Sequence, residues 1–155
     1  MKKPTDNIKD LGLKIPKAQN PLGAYVPFKV TGNLIFISGQ ISIDKNGNLK
    51  KGKVGKDLTV EDAQIAAKLC ALNIISQVKE ACDGDLDKVK NCIKINGYIN
   101  SSENFIDQPK VLNTASEIIT KVFNDSGKHA RAAVGVSSLP LGAAVEIDAI
   151  FEIFK

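Results

Sequence analysis

At 155 residues, with 43% apolar and 25% charged side chains, the chain is sized for one domain with its own core, which excludes a disordered or low-complexity protein. Its formal charge of +4 is scattered as single lysines. The one denser patch, Lys50, Lys51, Lys53 and Lys56, has no interleaved aromatics on which bases could stack, so nucleic acid is not expected as a partner. Cys70, Cys82 and Cys92 form neither a CxxC pair nor a set with histidine, so no metal site or disulfide framework is expected. The first residues lack the apolar core of a signal peptide, and no apolar run approaches membrane-spanning length; the expectation is a cytoplasmic protein with no membrane partner.

In chain order, Thr5 is placed to cap a short helix ending at Leu11 and Gly12, and LKIPKAQNP continues as an extended arm, so that residues 1–22 read as an N-terminal arm and 23–155 as the domain. Val26, Phe28 and Val30, then Leu34 to Ser38, predict two strands around the turn Thr31-Gly32-Asn33, with Ser38-Gly39-Gln40 closing the second. Ile41 to Asp57 holds Asn46-Gly47-Asn48 and the lysine patch, as a surface excursion would. Thr59 and Asp62 make a capping box, and Ile65, Leu69, Leu72, Ile75, Val78 and Cys82 predict one apolar helical stripe that stops near Gly84. Ala63, Ala66, Ala67 and Ala71 allow that helix to approach a sheet closely. Lys90 to Asn100 alternates as a strand with Ile93, Ile95, Gly97 and Ile99 on its apolar face. Pro109 opens a second helix, whose buried stripe is Leu112, Ala115, Ile119 and Val122.

The stretch Lys128 to Asp148 then holds the only histidine and, among 21 basic side chains, the only arginine. A flat guanidinium can grip a carboxylate through two parallel hydrogen bonds, which an ammonium cannot do. Read as two strands folded back on each other across LPLG, the stretch puts Arg131, Glu146 and Asp148 on one face and the valines on the other. Two readings of that face stand: a carboxylate-binding surface, or an ordinary solvated hairpin with an incidental arginine. His129 leaves the same face as Arg131, where it can either pass a proton or bond a backbone carbonyl at the strand entrance. The order β-β-α-β-α-β-β predicts an α+β fold, a mixed sheet with two helices on one face and its other face bare.

Gly23 and Tyr25, Ile37-Ser38-Gly39-Gln40, Asn73, Asn113, Arg131 to Val136, Leu139-Pro140 and Val145-Glu146-Ile147, in that order, resemble the YjgF/Rid family of reactive-intermediate imine deaminases, once labelled L-PSP endoribonucleases. The resemblance runs from about Pro21 to the C-terminus. It implies a chorismate-mutase-like fold, a homotrimer with the bare sheet faces turned inward, and ligand clefts between subunits. It further implies that Arg131 clamps the carboxylate of an enamine or imino acid such as 2-aminoacrylate, while Glu146 positions water and moves protons. Tyr25, Ser38, Asn113, Ala133 and His129 would line the cleft, and no cofactor is implied. The chain departs from the family at Ala133, where a cysteine is common, at His129, where proline is common, and in GAYVP, where GPYS is usual; no thiol chemistry is expected at Ala133, and a divergent branch with its own substrate is. Three functions remain open: hydrolysis of carboxylate-bearing imines, binding of a 2-keto acid or amino acid without turnover, and RNA cleavage or translation inhibition.

Overall fold

The computed structural model describes all residues from Met1 to Lys155. Five strands, β1 (Phe28–Thr31), β2 (Leu34–Ile41), β3 (Val89–Asn100), β4 (Ala130–Val136) and β5 (Val145–Ile153), form one sheet in the order β1-β2-β5-β3-β4. Helices α2 (Val60–Ala81) and α3 (Gln108–Phe123) cover one face, and a short α1 (Pro4–Asp10) lies against α3. The α+β plan, a mixed sheet with two long helices on one face, is the one expected from the order of elements, and the chorismate-mutase-like fold is the one the resemblance implies.

Local chemistry explains where the elements start. Thr59 Oγ1 accepts from the Asp62 amide at 3.1 Å while the Asp62 carboxylate accepts from the Thr59 amide, so the capping box is closed and α2 begins there. Pro109 stands in the first turn of α3, where its missing N–H goes unused. At the N-terminus the helix starts two residues earlier than Thr5 would set it: Lys3 is its cap, with no side-chain bond, and Pro4 opens the first turn. The helix and the arm after it are held against the rest of the chain, because Asn7 in the helix donates to Val122 O at 2.9 Å and Ile8 from the helix and Leu13 and Ile15 from the arm pack on the core.

Two faces turn out rotated from their predicted settings. On α2 the side facing the sheet is Ala63, Ala66, Ala67, Cys70, Ala71, Ile74, Ile75 and Val78, whereas Ile65 is 55% exposed. Small residues win this face because they let the helix axis come close to the sheet; a bulky stripe at that distance would overpack. On β3 a bulge between Cys92 and Lys94 reverses the alternation, so Cys92 is buried and Ile93 is 40% exposed.

The larger correction concerns the last two strands. β4 and β5 do not form a hairpin: β4 is an edge strand paired only with β3, in parallel, and β5 is inserted between β2 and β3, antiparallel to both. A parallel partner requires a crossover, and α3 supplies it between β3 and β4. The segment Ser137 to Ala144 therefore spans β3 rather than turning back beside β4.

This topology separates the residues expected to share a face. Arg131 pairs with Ile95, and Ile95 with Ala149, a row that points toward the helices. Glu146 belongs to the row Ile41, Glu146, Tyr98, Val134, and Asp148 to the row through Asn96; both rows point to the bare face. The valines part in the same way: Val145 is fully buried beneath the helices, while Val134 is 46% exposed on the bare side.

Candidate functional site

Two clusters of polar side chains lie on opposite faces of the sheet. The first is at the α3–β4 edge. Arg131 Nη1 donates to Ser116 Oγ at 3.1 Å and Nη2 donates to the Pro109 carbonyl at 3.3 Å. Both acceptors come from α3, where Pro109, Asn113 and Ser116 follow one another at helical spacing. None of the chain's ion pairs includes Arg131, so its charge has no carboxylate of the same chain to neutralise it. A guanidinium has five N–H donors, and two are used here, which leaves three without a partner in the chain on a half-buried group. His129 sits in the same cluster with Nδ1 2.6 Å from Gly127 O and Nε2 2.9 Å from Ser116 Oγ. Asn113 is exposed on the outer side of α3, and Ala133 backs the cluster, partly buried opposite Gly97.

The second cluster opens onto the bare face. Tyr25 and Glu146 line one cavity of about 130 Å³, together with Gln19, Leu22, Gly39 and Pro140. The arm forms one wall of it and is anchored there by Gln77, which donates from inside α2 to the Gln19 carbonyl at 2.8 Å. Ser38 stands beside the cavity without lining it; its hydroxyl donates to Val26 O at 2.7 Å and fixes the segment that carries Tyr25. Gly39 leaves room for the Glu146 carboxylate, since a Cβ there would run into it and push the side chain aside.

Glu146 and Asp148 are two residues apart on β5 and differ sharply in surroundings. Asp148 accepts from Asn96 Nδ2 at 2.7 Å and from Tyr98 Oη at 2.8 Å, and this bond to Asp148, with burial, pushes the Tyr98 phenol up to about 12. Glu146 has no such donors. Burial, helped by the negative charge of Asp148, holds its carboxyl above the usual carboxylate range. A carboxyl that keeps its proton closer to neutral pH is suited to giving and taking protons.

Neither the cysteines nor the lysine patch adds to these clusters. Cys70, Cys82 and Cys92 are buried in the core, where desolvation raises each thiol above its ordinary value. Lys50 is paired with Asp62 at 3.2 Å, and Lys53 donates to Asn100 Oδ1 at 2.8 Å and Ser137 O at 2.6 Å, so two of the four lysines serve the fold. Asn73 is likewise structural: its amide donates to Ile41 O and Ile43 O from inside α2. No helix is long and apolar enough to cross a membrane.

The sequence missed Ser116 and the arm wall at Gln19 and Leu22. Ser116 was accessible through helical spacing, three residues after Asn113, had α3 been known to lie along β4. The arm wall had no local signal, because it is made by a long-range contact to Gln77.

Comparison with known proteins fits this architecture. Residues 6–152 match the family model described as "YjgF/chorismate_mutase-like, putative endoribonuclease". The chain is 45% identical to Protein TCP17 of Trypanosoma cruzi over 148 residues, which covers 95% of this chain and 92% of that protein. It is 28% identical to a 2-iminobutanoate/2-iminopropanoate deaminase of Dermatophagoides farinae over 138 residues, 89% and 92% of the two chains. The crystal structure of Atu1372, a protein of unknown function from Agrobacterium tumefaciens, superposes with a TM-score of 0.90 at 46% identity and covers 97% of this chain and 94% of its own.

Proposed function

The chain belongs to the YjgF/chorismate-mutase-like family, and on that premise we propose that it hydrolyses small imines or enamines bearing a carboxylate, releasing ammonia and a 2-keto acid. The observation that carries this reading is Arg131: the one guanidinium of the chain, held by two acceptors on α3, with no carboxylate of its own chain beside it. Such a group is preset to receive a small acid through two parallel hydrogen bonds. Glu146 supplies the acid-base partner, with its proton held more tightly than in an ordinary carboxyl.

Because Arg131 and Glu146 point to opposite faces of one sheet, a site containing both needs two chains. The arrangement we propose is a homotrimer with the bare faces inward, in which Arg131 of one subunit completes the Tyr25 and Glu146 cavity of a neighbour. The carboxylate binds Arg131, and Glu146 gives its proton to the imine nitrogen. Water attacks the imine carbon and returns a proton to Glu146. Glu146 then passes that proton to the carbinolamine nitrogen, the C–N bond breaks as the hydroxyl gives its proton back to Glu146, ammonia leaves and the ketone remains. Imines hydrolyse readily unaided, so positioning and one proton shuttle are sufficient catalysis.

The test generates imine in place with an amino-acid oxidase and measures the extra release of 2-keto acid, with sedimentation giving the oligomeric state. Acceleration that disappears in Arg131→Ala is expected. No acceleration at any protein concentration would reject turnover and leave carboxylate binding alone.

A further inference from the structure

We propose that Ser116 and His129 are positioning residues that lock the Arg131 guanidinium in its gripping orientation, a role that rests on the reading of Arg131 as a carboxylate clamp. The assignment follows from hydrogen positions. The Gly127 carbonyl only accepts, so Nδ1 of His129, 2.6 Å away, carries the hydrogen. In the neutral ring Nε2 is then a lone pair, and Ser116 Oγ lies 2.9 Å from it. Ser116 therefore donates its hydroxyl hydrogen to His129, and its oxygen lone pairs are left to accept from Arg131 Nη1 at 3.1 Å. The chain of donors runs in one direction, from arginine through serine and histidine to a backbone oxygen.

Without the imidazole this order would be lost. A serine inside a helix ordinarily turns its hydroxyl back to the carbonyl one turn earlier, here Leu112, and offers its neighbours no fixed acceptor. The far end of the chain is also fixed. A Cβ at Gly127 would stand 2.5 Å from Ile119 O and 2.7 Å from the Cα of Thr120, so the turn before β4 is pressed against α3 and its carbonyl cannot wander. With Pro109 O holding Nη2 at 3.3 Å, the guanidinium is gripped at both terminal nitrogens while three of its donors have no partner in the chain.

Arg131 is the only arginine, so protein labelled with 15N-arginine reports one guanidinium and nothing else. The wild-type protein should show hindered rotation about the Cζ–Nη bonds and slow exchange of the Nη hydrogens. Ser116→Ala and His129→Leu should each collapse these to a freely rotating average, whereas His129→Gln should retain them, since its amide oxygen can still accept from Ser116. In turnover assays the first two variants should raise KM roughly tenfold, the effect of one hydrogen bond to a charged group, and leave kcat nearly unchanged. Free rotation already in the wild type, or hindered rotation that survives both Ser116→Ala and His129→Leu, would overturn the proposal. The spectrum needs no substrate: hindered rotation in a protein that hydrolyses no imine upholds the positioning role and rejects only the hydrolase reading.

Discussion

Arg131 and Glu146 stand on opposite faces of the same sheet, and their surroundings differ in kind. At the α3–β4 edge Arg131 is tied directly to Pro109 O and, through Ser116 and His129, to Gly127 O. In the Tyr25 cavity the central carboxyl has no such tie and is instead perturbed by burial and by a like charge. The first is a guanidinium held from two sides; the second is a half-buried carboxyl with no partner in its own chain. The contrast teaches that within one chain the charged group at one edge is held by its neighbours, while the carboxyl on the other face is perturbed and unpaired.

The sharpest way to break that contrast is to remove the cation. Arg131→Ala should lower kcat/KM for carboxylate-bearing imines by about a thousandfold, with little change in melting temperature because both of its acceptors are near solvent. Arg131→Lys should recover less than about a tenth of wild-type activity, since an ammonium cannot make the paired contact. Full activity in the lysine variant, measured as keto-acid release, would sink the bidentate argument.

Next in size is the carboxyl proposed to move protons. Glu146→Gln should cut kcat by on the order of a hundredfold and leave carboxylate binding nearly intact, which a competition assay with a 2-keto acid would read. A smaller loss, roughly tenfold in kcat, is expected of Gly39→Ala. Its Cβ meets only the movable end of Glu146, so the carboxyl is displaced while the fold remains. Should that variant unfold instead, the close approach belongs to strand packing and not to the site.

How much of this was legible beforehand differs between the two regions for a physical reason. Helix starts at Thr59 and Pro109 are local chemistry, written within a single turn, and the residues there predict both. Arg131 and Glu146 stood out as residue types. Their relation did not, because alternation along β4 and β5 fixes the faces of each strand but not which strand lies between them. Val134 and Val145 look equivalent in sequence, yet one is on the bare side and the other in the core, since β3 separates their strands. The bulge at Cys92 and the alanine face of α2 escaped for a similar reason: each is decided by the neighbour across the interface, not by the run of residues itself.

The smallest effect tests the energetic half of the comparison. The Glu146 carboxyl is raised in the folded chain above its unfolded value, so in the window between the two the folded state holds the extra proton. Stability must then fall as pH rises through that window, the reverse of a salt-bridged carboxylate. Glu146→Gln removes the ionisation and with it this penalty. The variant should therefore melt slightly above wild type at neutral pH, and the gap should close as pH is lowered past the ordinary carboxylate range. The group is half exposed to solvent, so the gain is small, and it should shrink further where subunits are associated and a neighbour's cation reaches the carboxyl. A glutamine variant that is less stable at neutral pH than at pH 4, relative to wild type, would mean that Glu146 is held by favourable contacts after all, and the two half-sites would no longer differ in kind.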